Sequence, residues 1–206
     1  MAGWTRFEGK AVALPTEGID TDQLIPARFM TTPRSEGYGR FLLHDMRFGA
    51  DGAAVAAMPL NRHPGATILV TRRNFGGGSS REAAVYALAD FGIRAVIAPS
   101  FGDIFAANAV NNGLLPARVG EAEVDALIAQ LGNTAQGATI DLETSEIMTE
   151  QARLAFALDP VWRTKLIRGW DDIDLTASHG EAIAARRAAR RTQAGWAWPK
   201  VDDGQR

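Results

Sequence analysis

Ser79, Ser80 and Arg81 follow three consecutive glycines, Gly76, Gly77 and Gly78, in the segment Asn74-Phe-Gly-Gly-Gly-Ser-Ser-Arg-Glu82. Two hydroxyls and a guanidinium in successive positions can bind a carboxylate or a phosphate. A hydroxyl held beside a cation can also lose its proton and act as a base. Glycines lack a Cβ and let the backbone pass close to a ligand. An apolar run from Ala66 to Val70 enters the segment, and an alanine-rich helical pattern from Ala83 to Phe91 leaves it. A strand, a glycine loop and a helix start form an anion site, because the first helical turn has unpaired N–H groups at the positive end of the macrodipole. Ser79 or Ser80 can cap that helix, and Ser79-x-x-Glu82 fits a capping box. The plain alternative is a glycine-rich turn with a capping serine and a surface arginine.

Common phosphate and nucleophile motifs do not fit. The dinucleotide fingerprint needs a third glycine where Arg81 stands. The phosphate loop needs Lys-Ser or Lys-Thr after its glycines, and neither follows. The nucleophile elbow fails on Ser79, where Arg81 replaces the last glycine, and on Ser80, where Glu82 does.

The elements that must hold this loop are legible around it. Lys10–Leu14 reads as a short strand ended by Pro15, and residues 18–22 read as a turn. Pro26–Arg40 reads as loop or short helix, and Ala53–Ala57 as a brief helix. Residues 67–71 and 95–98 are buried strands separated by the helix that ends near Gly92, which implies a parallel βαβ unit. A helix over residues 103–112 ends at Gly113, and an amphipathic helix over 121–131 ends at Gly132. Residues 138–143, 146–149 and 154–157 read as antiparallel strands. Asp159-Pro160 opens a helix that stops at Gly169. Asp171, Asp172 and Asp174 lack calcium-loop spacing and read as a turn, and Ser178-x-x-Glu181 opens a last helix to Gln193. Arg186, Arg187, Arg190 and Arg191 lie on one side of that helix and read as a solvated face near its C-terminus.

The whole chain has 206 residues, a formal charge of −2 and no cysteine. The charge gives no field for nucleic acid or for an acidic membrane. The lack of thiols removes disulfides, thiolate metal sites and a self-bound iron–sulfur cluster, and agrees with a cytoplasmic location. The N-terminus has no apolar stretch of the signal-peptide kind, and no run approaches the roughly 20 residues of a membrane span. His44, His63 and His179 are spread along the chain without metal-ligand spacing.

Four blocks taken together go beyond local pattern. They are Ile19-Asp-Thr-Asp-Gln-Leu-Ile-Pro26, the Asn74–Glu82 loop, Phe91-Gly-Ile-Arg-Ala-Val-Ile-Ala-Pro-Ser-Phe-Gly-Asp-Ile-Phe105, and Asn112-Gly-Leu-Leu-Pro116. In this order and spacing the chain resembles the small subunits of 3-isopropylmalate dehydratase, the swivelling domain of the aconitase superfamily, over about residues 5 to 190. The resemblance implies an α/β fold: a three-layer β/β/α swivelling domain with a parallel βαβ core and antiparallel strands. It would be one domain over residues 1–195, with residues 196–206 a flexible tail. It implies a large-subunit partner that carries a [4Fe-4S] cluster, and a small dicarboxylate substrate bound where the subunits meet. This chain would bind no cofactor of its own.

Carried over position by position, the resemblance makes Ser79 the catalytic base. Ser80 and Arg81 would bind a substrate carboxylate. Asp22 would support the site by pairing with a histidine of the large subunit, and Gly76, Gly77 and Gly78 would expose the loop backbone. Arg34 and Thr31, in the loop after Pro26, would meet the substrate. The implied reaction isomerises a branched malate by dehydration and rehydration in leucine biosynthesis. The chain departs from the family pattern where Gly77 replaces a cysteine, Ala83 a histidine and Val85-Tyr86 a Pro-Trp pair. The loop Phe29-Met-Thr-Thr32 replaces a Tyr-Leu pair followed by a basic or amide residue. These departures keep two other readings open: a subunit acting on another substituted malate, such as a methyl-substituted one, or a carboxylate-binding module without catalysis.

Overall fold

The computed structural model describes residues 2–198. Its strands are β1 (Arg6–Leu14), β2 (Ile68–Thr71), β3 (Ala95–Ala98), β4 (Leu115–Arg118), β5 (Gln136–Asp141), β6 (Glu146–Thr149) and β7 (Arg153–Ala155). Its α-helices are α1 (Thr21–Leu24), α2 (His44–Arg47), α3 (Pro59–Arg62), α4 (Glu82–Phe91), α5 (Asp103–Asn111), α6 (Glu121–Leu131), α7 (Pro160–Arg168), α8 (Asp172–Ala177) and α9 (Gly180–Gln193).

The strands form one mixed sheet in the order β4-β3-β2-β1-β5-β6-β7. The β1–β4 half is parallel, with Val12 opposite Leu69 and Leu69 opposite Val96. β1 then pairs antiparallel with β5, which starts an antiparallel run through β6 and β7. Alternation along each buried strand divides the core in two. Val12, Leu14, Leu69 and Val96 face α4 and α5 in one apolar cluster. Ala11, Ile68, Val70 and Ile97 face the other way and join α6 with Ala138, Ile140 and Ile147 of the antiparallel half. The antiparallel strands therefore share a core with one face of the parallel ones, while α4 and α5 cover the opposite face. This is the expected β/β/α layering with a parallel core.

Several local expectations hold. The Asp159 carboxylate accepts the Val161 amide at 2.7 Å with Pro160 at the first helical position, and Gly169 closes α7 at φ 71°. Gly113, at φ 75°, follows the C-cap Asn112 of α5. Others are corrected. Residues 53–57 form no helix; the nearby helical turns are α2 and α3. Asp172 and Asp174 lie in α8 rather than in a turn. Ser178 does not cap α9, since its hydroxyl donates to the Leu175 carbonyl at 2.6 Å and the N-cap is His179.

Contacts divide the chain into two compact units, Met1–Asp171 and Asp172–Arg206. In the second unit Arg191 and Arg187 lie 4.9 and 5.6 Å over the Trp198 ring. Most of the expected tail, residues 199–206, lies outside the described residues. No helix among the described residues is long and apolar enough to cross a membrane.

Candidate active site

Three loops that leave the C-terminal ends of β1, β2 and β3 run side by side and build the site, the usual place for ligands on a parallel sheet. The central one is the glycine loop. The Gly76 amide donates to the Ile19 carbonyl at 2.7 Å, and the Thr21 amide donates to the Gly77 carbonyl at 2.9 Å. On the other flank, the Phe75 amide donates to the Ser100 carbonyl at 3.1 Å, and the Gly102 amide returns to the Phe75 carbonyl at 2.9 Å. The glycine pattern follows from this crowding. Gly76 has φ +73°, and a Cβ there would enter the Phe105 ring. A Cβ on Gly102 would sit 2.6 Å from the Gly76 carbonyl oxygen. Gly77 is less constrained: its Cβ would stand 3.0 Å from Asn74 Oδ1, a tight but adjustable approach.

Ser79 and Ser80 lie exposed on the outer side of the loop, and Arg81 is half-buried beside them. The Ser79 backbone and side chain both meet Thr21, which is 1% exposed. The Ser79 amide donates to Thr21 Oγ1 at 3.2 Å, and that hydroxyl donates to the Ser79 carbonyl at 3.1 Å. The two hydroxyl oxygens are 3.2 Å apart. Thr21 lines this candidate site, although from the Asp20–Asp22 run the sequence marks only Asp22. The missed signal is Asp20-x-x-Gln23, a capping box that makes this run a helix start: Asp20 accepts the Gln23 amide at 2.7 Å, and Gln23 accepts the Asp20 amide at 2.9 Å.

Asp22, one residue on, forms an ion pair with Arg81. Thus Asp22, Arg81, Ser79 and Ser80 stand together. The helix begins later than the sequence indicates: Arg81 is the N-cap of α4, no side chain caps it, and Ser79 instead accepts the Arg81 amide on its carbonyl at 2.8 Å. The first-turn amides of Glu82 and Ala83 are left without a capping side chain, at the positive end of the helix. Asn112 donates to Glu82 at 3.0 Å and steadies this mouth. Burial, with the Glu82 carboxylate nearby, raises the Tyr86 pKa one turn further along α4.

Arg34 and Thr31 are elsewhere on the loop after α1. Both Arg34 terminal nitrogens are bonded to Asp90, near the far end of α4, at 2.6 and 2.8 Å. The Thr31 side chain is exposed, its hydroxyl donating to the Arg28 carbonyl at 3.3 Å. Arg28 in turn pairs with Asp45 and holds that carboxyl down at about 2. Among the described residues, no group of three or more His, Asp or Glu side chains is disposed to hold a metal ion.

Residues 1–122 match the aconitase C-terminal domain family. The 3-isopropylmalate dehydratase small subunit of Shouchella clausii is 45% identical over 179 residues, covering 86% of this chain and 91% of that protein. The protein of the same name from Rhodospirillum centenum is 43% identical over 201 residues, covering 96% of this chain and 99% of its own. The crystal structure of 3-isopropylmalate dehydratase from Methanocaldococcus jannaschii shares the fold, with a TM-score of 0.64 at 24% identity, covering 88% of this chain and 99% of that one.

Proposed function

We propose a function from one established premise: the chain belongs to the family of 3-isopropylmalate dehydratase small subunits. It is the small subunit of a hydro-lyase that works with a large subunit in leucine biosynthesis, interconverting 2-isopropylmalate and 3-isopropylmalate. Likeness to these relatives extends over nearly their full length, which favours this reading over another substituted malate or a module without catalysis.

The observation that carries the chemistry is the Thr21–Ser79–Arg81–Asp22 group at the mouth of α4. In dehydration a carbon beside a carboxylate loses a proton, a C–C double bond forms, and the hydroxyl departs from the adjacent carbon. Rehydration places the hydroxyl on the other carbon and returns the proton. We assign the proton transfer to Ser79 Oγ. A serine hydroxyl is a poor base in water, so its alkoxide must be stabilised. The Thr21 hydroxyl can turn its hydrogen from the Ser79 carbonyl to the Ser79 oxygen as charge develops there. Arg81 and the α4 amides bind the carboxylate next to the reacting carbon, where negative charge builds up. Ser80 adds a donor from the same loop. Asp22 orients Arg81 and, being exposed, faces the partner, where a histidine side chain would pair with it. Thr31 would lie toward the alkyl group of the substrate.

Departure of the hydroxyl belongs to the large subunit's side of the site. A chain without cysteine, with no metal-holding group among the described residues, does not fit a [4Fe-4S] cluster, and we place the cluster on the partner. Amino-acid biosynthesis handles soluble acids, and on that ground we assign the assembly to the cytoplasm. Mixing the chain with the large subunit tests the proposal. Isomerisation of 3-isopropylmalate should require both chains, and turnover by this chain alone would overturn the division of labour.

A further inference from the structure

We propose that Arg34 is a positioning residue for substrate selection: with Asp90, Tyr38 and Tyr86 it clasps the Pro26–Tyr38 loop to α4 and thereby fixes Phe29–Thr32 relative to Ser79. The inference rests on the functional reading above for what the loop selects, and on geometry alone for the clasp. The Arg34 fork meets Asp90 with both terminal nitrogens. Its guanidinium lies 4.4 Å over the Tyr86 ring and 5.6 Å from the Tyr38 ring. An exposed ion pair by itself stabilises little. Here the carboxylate is only 20% exposed, and it also accepts the Tyr38 amide at 2.6 Å.

The backbone is shaped for this approach. A Cβ on Gly39 would stand 2.6 Å from the Asp90 carbonyl carbon, so only glycine lets the loop come down on the last turn of α4. Gly37 has φ +76°, which turns the chain into the same contact. From the clasp the constraint passes to the selecting residues. The Tyr38 hydroxyl donates to the Thr32 carbonyl at 2.9 Å, and Phe29 stacks on Phe41 at 4.3 Å. The loop is thus tied to both ends of α4: Asp22 before it pairs with Arg81 at the start, and Arg34 within it pairs with Asp90 near the finish. With both terminal nitrogens engaged, Arg34 is committed to the scaffold rather than to a substrate carboxylate. Tyr86 supplies the ring that the guanidinium covers.

The test compares Arg34→Met, Arg34→Lys, Asp90→Ala and the Arg34→Met/Asp90→Ala pair in the reconstituted two-subunit enzyme. Arg34→Met should raise KM for 3-isopropylmalate roughly ten-fold with kcat within about two-fold. Lysine should not rescue it, since it can neither fork nor stack. Asp90→Ala should act in the same direction, and the double variant should be no worse than the more affected single one. Hydrogen exchange on the isolated chain should show faster exchange for amides 28–38 in Arg34→Met, with those of α5 unchanged. An unchanged KM, an Asp90→Ala variant with normal KM, or unaltered exchange at 28–38 would overturn the clasp. A wild-type pair inert toward 3-isopropylmalate would sink the functional reading instead, leaving the exchange result to decide the clasp.

Discussion

The Thr21 hydroxyl oxygen stands 3.2 Å from both the amide nitrogen and the hydroxyl oxygen of Ser79, while its own residue is buried. One hydroxyl carried by the loop after β1 therefore fixes Ser79, carried by the loop after β2. Thr21→Val keeps the shape and removes the hydroxyl. It leaves the Ser79 amide without this partner, a loss of about 0.5–1.5 kcal/mol in unfolding free energy. The kcat of the reconstituted enzyme should fall by roughly 10²-fold. Thr21→Ser should recover most of both quantities, in urea melts and in turnover.

The glycines of the loop are not equivalent. Gly76→Ala adds a Cβ into the Phe105 ring at a φ of +73° and should lower stability by more than about 3 kcal/mol, or prevent folding. Gly77→Ala first meets the Asn74 side chain, at 3.0 Å, and should cost about 1 kcal/mol or less. Denaturant midpoints of the two variants measure the contrast.

Arg81→Lys keeps the charge and loses the planar fork. Carboxylate recognition should weaken, with kcat/KM for 3-isopropylmalate down about 10²-fold, since a point charge cannot bind bidentately. Thermal unfolding should shift little, because Asp22 is more than half exposed and an exposed pair contributes little. Steady-state kinetics beside a melting curve separate the two effects.

A pH titration should reveal the Arg28–Asp45 pair. The bonds from Arg28 and His44 hold the Asp45 carboxyl at about 2, below the usual carboxylate range. A lowered folded-state value means that the ionised form stabilises the native chain. The contribution is complete above about pH 4 and is lost as pH falls through about 2. Solvent screens both partners, so the stability change should be small. Protection factors of amides 28–32, corrected for the intrinsic exchange rate at each pH, should be lower at pH 2 than at pH 4.5 in wild type, and Asp45→Asn should remove that difference.

The β2–loop–α4–β3 path was legible because its signals are local: an apolar run, three glycines, an alanine-rich helix and Pro99. Asp159-Pro160 was legible for the same reason. Thr21 was not, because its role arises only when β1 and β2 align in parallel and bring residues 58 positions apart into contact. The serine cap on α4 failed for a related cause. Ser79 has its amide and hydroxyl turned to Thr21 and its carbonyl to Arg81, so the helix starts later, at Glu82. Similarly, Arg34 reads by the resemblance as a residue that meets the substrate, and only the fold brings it to Asp90, 56 positions away.

If Ser79 Oγ takes the substrate proton, Ser79→Ala in the reconstituted enzyme must lose turnover; kcat is measured with subunit association and melting temperature followed in parallel. Assembly and folding should match wild type, with kcat lowered by at least about 10³-fold and substrate still bound. Turnover within about ten-fold of wild type in an intact assembly would contradict that role.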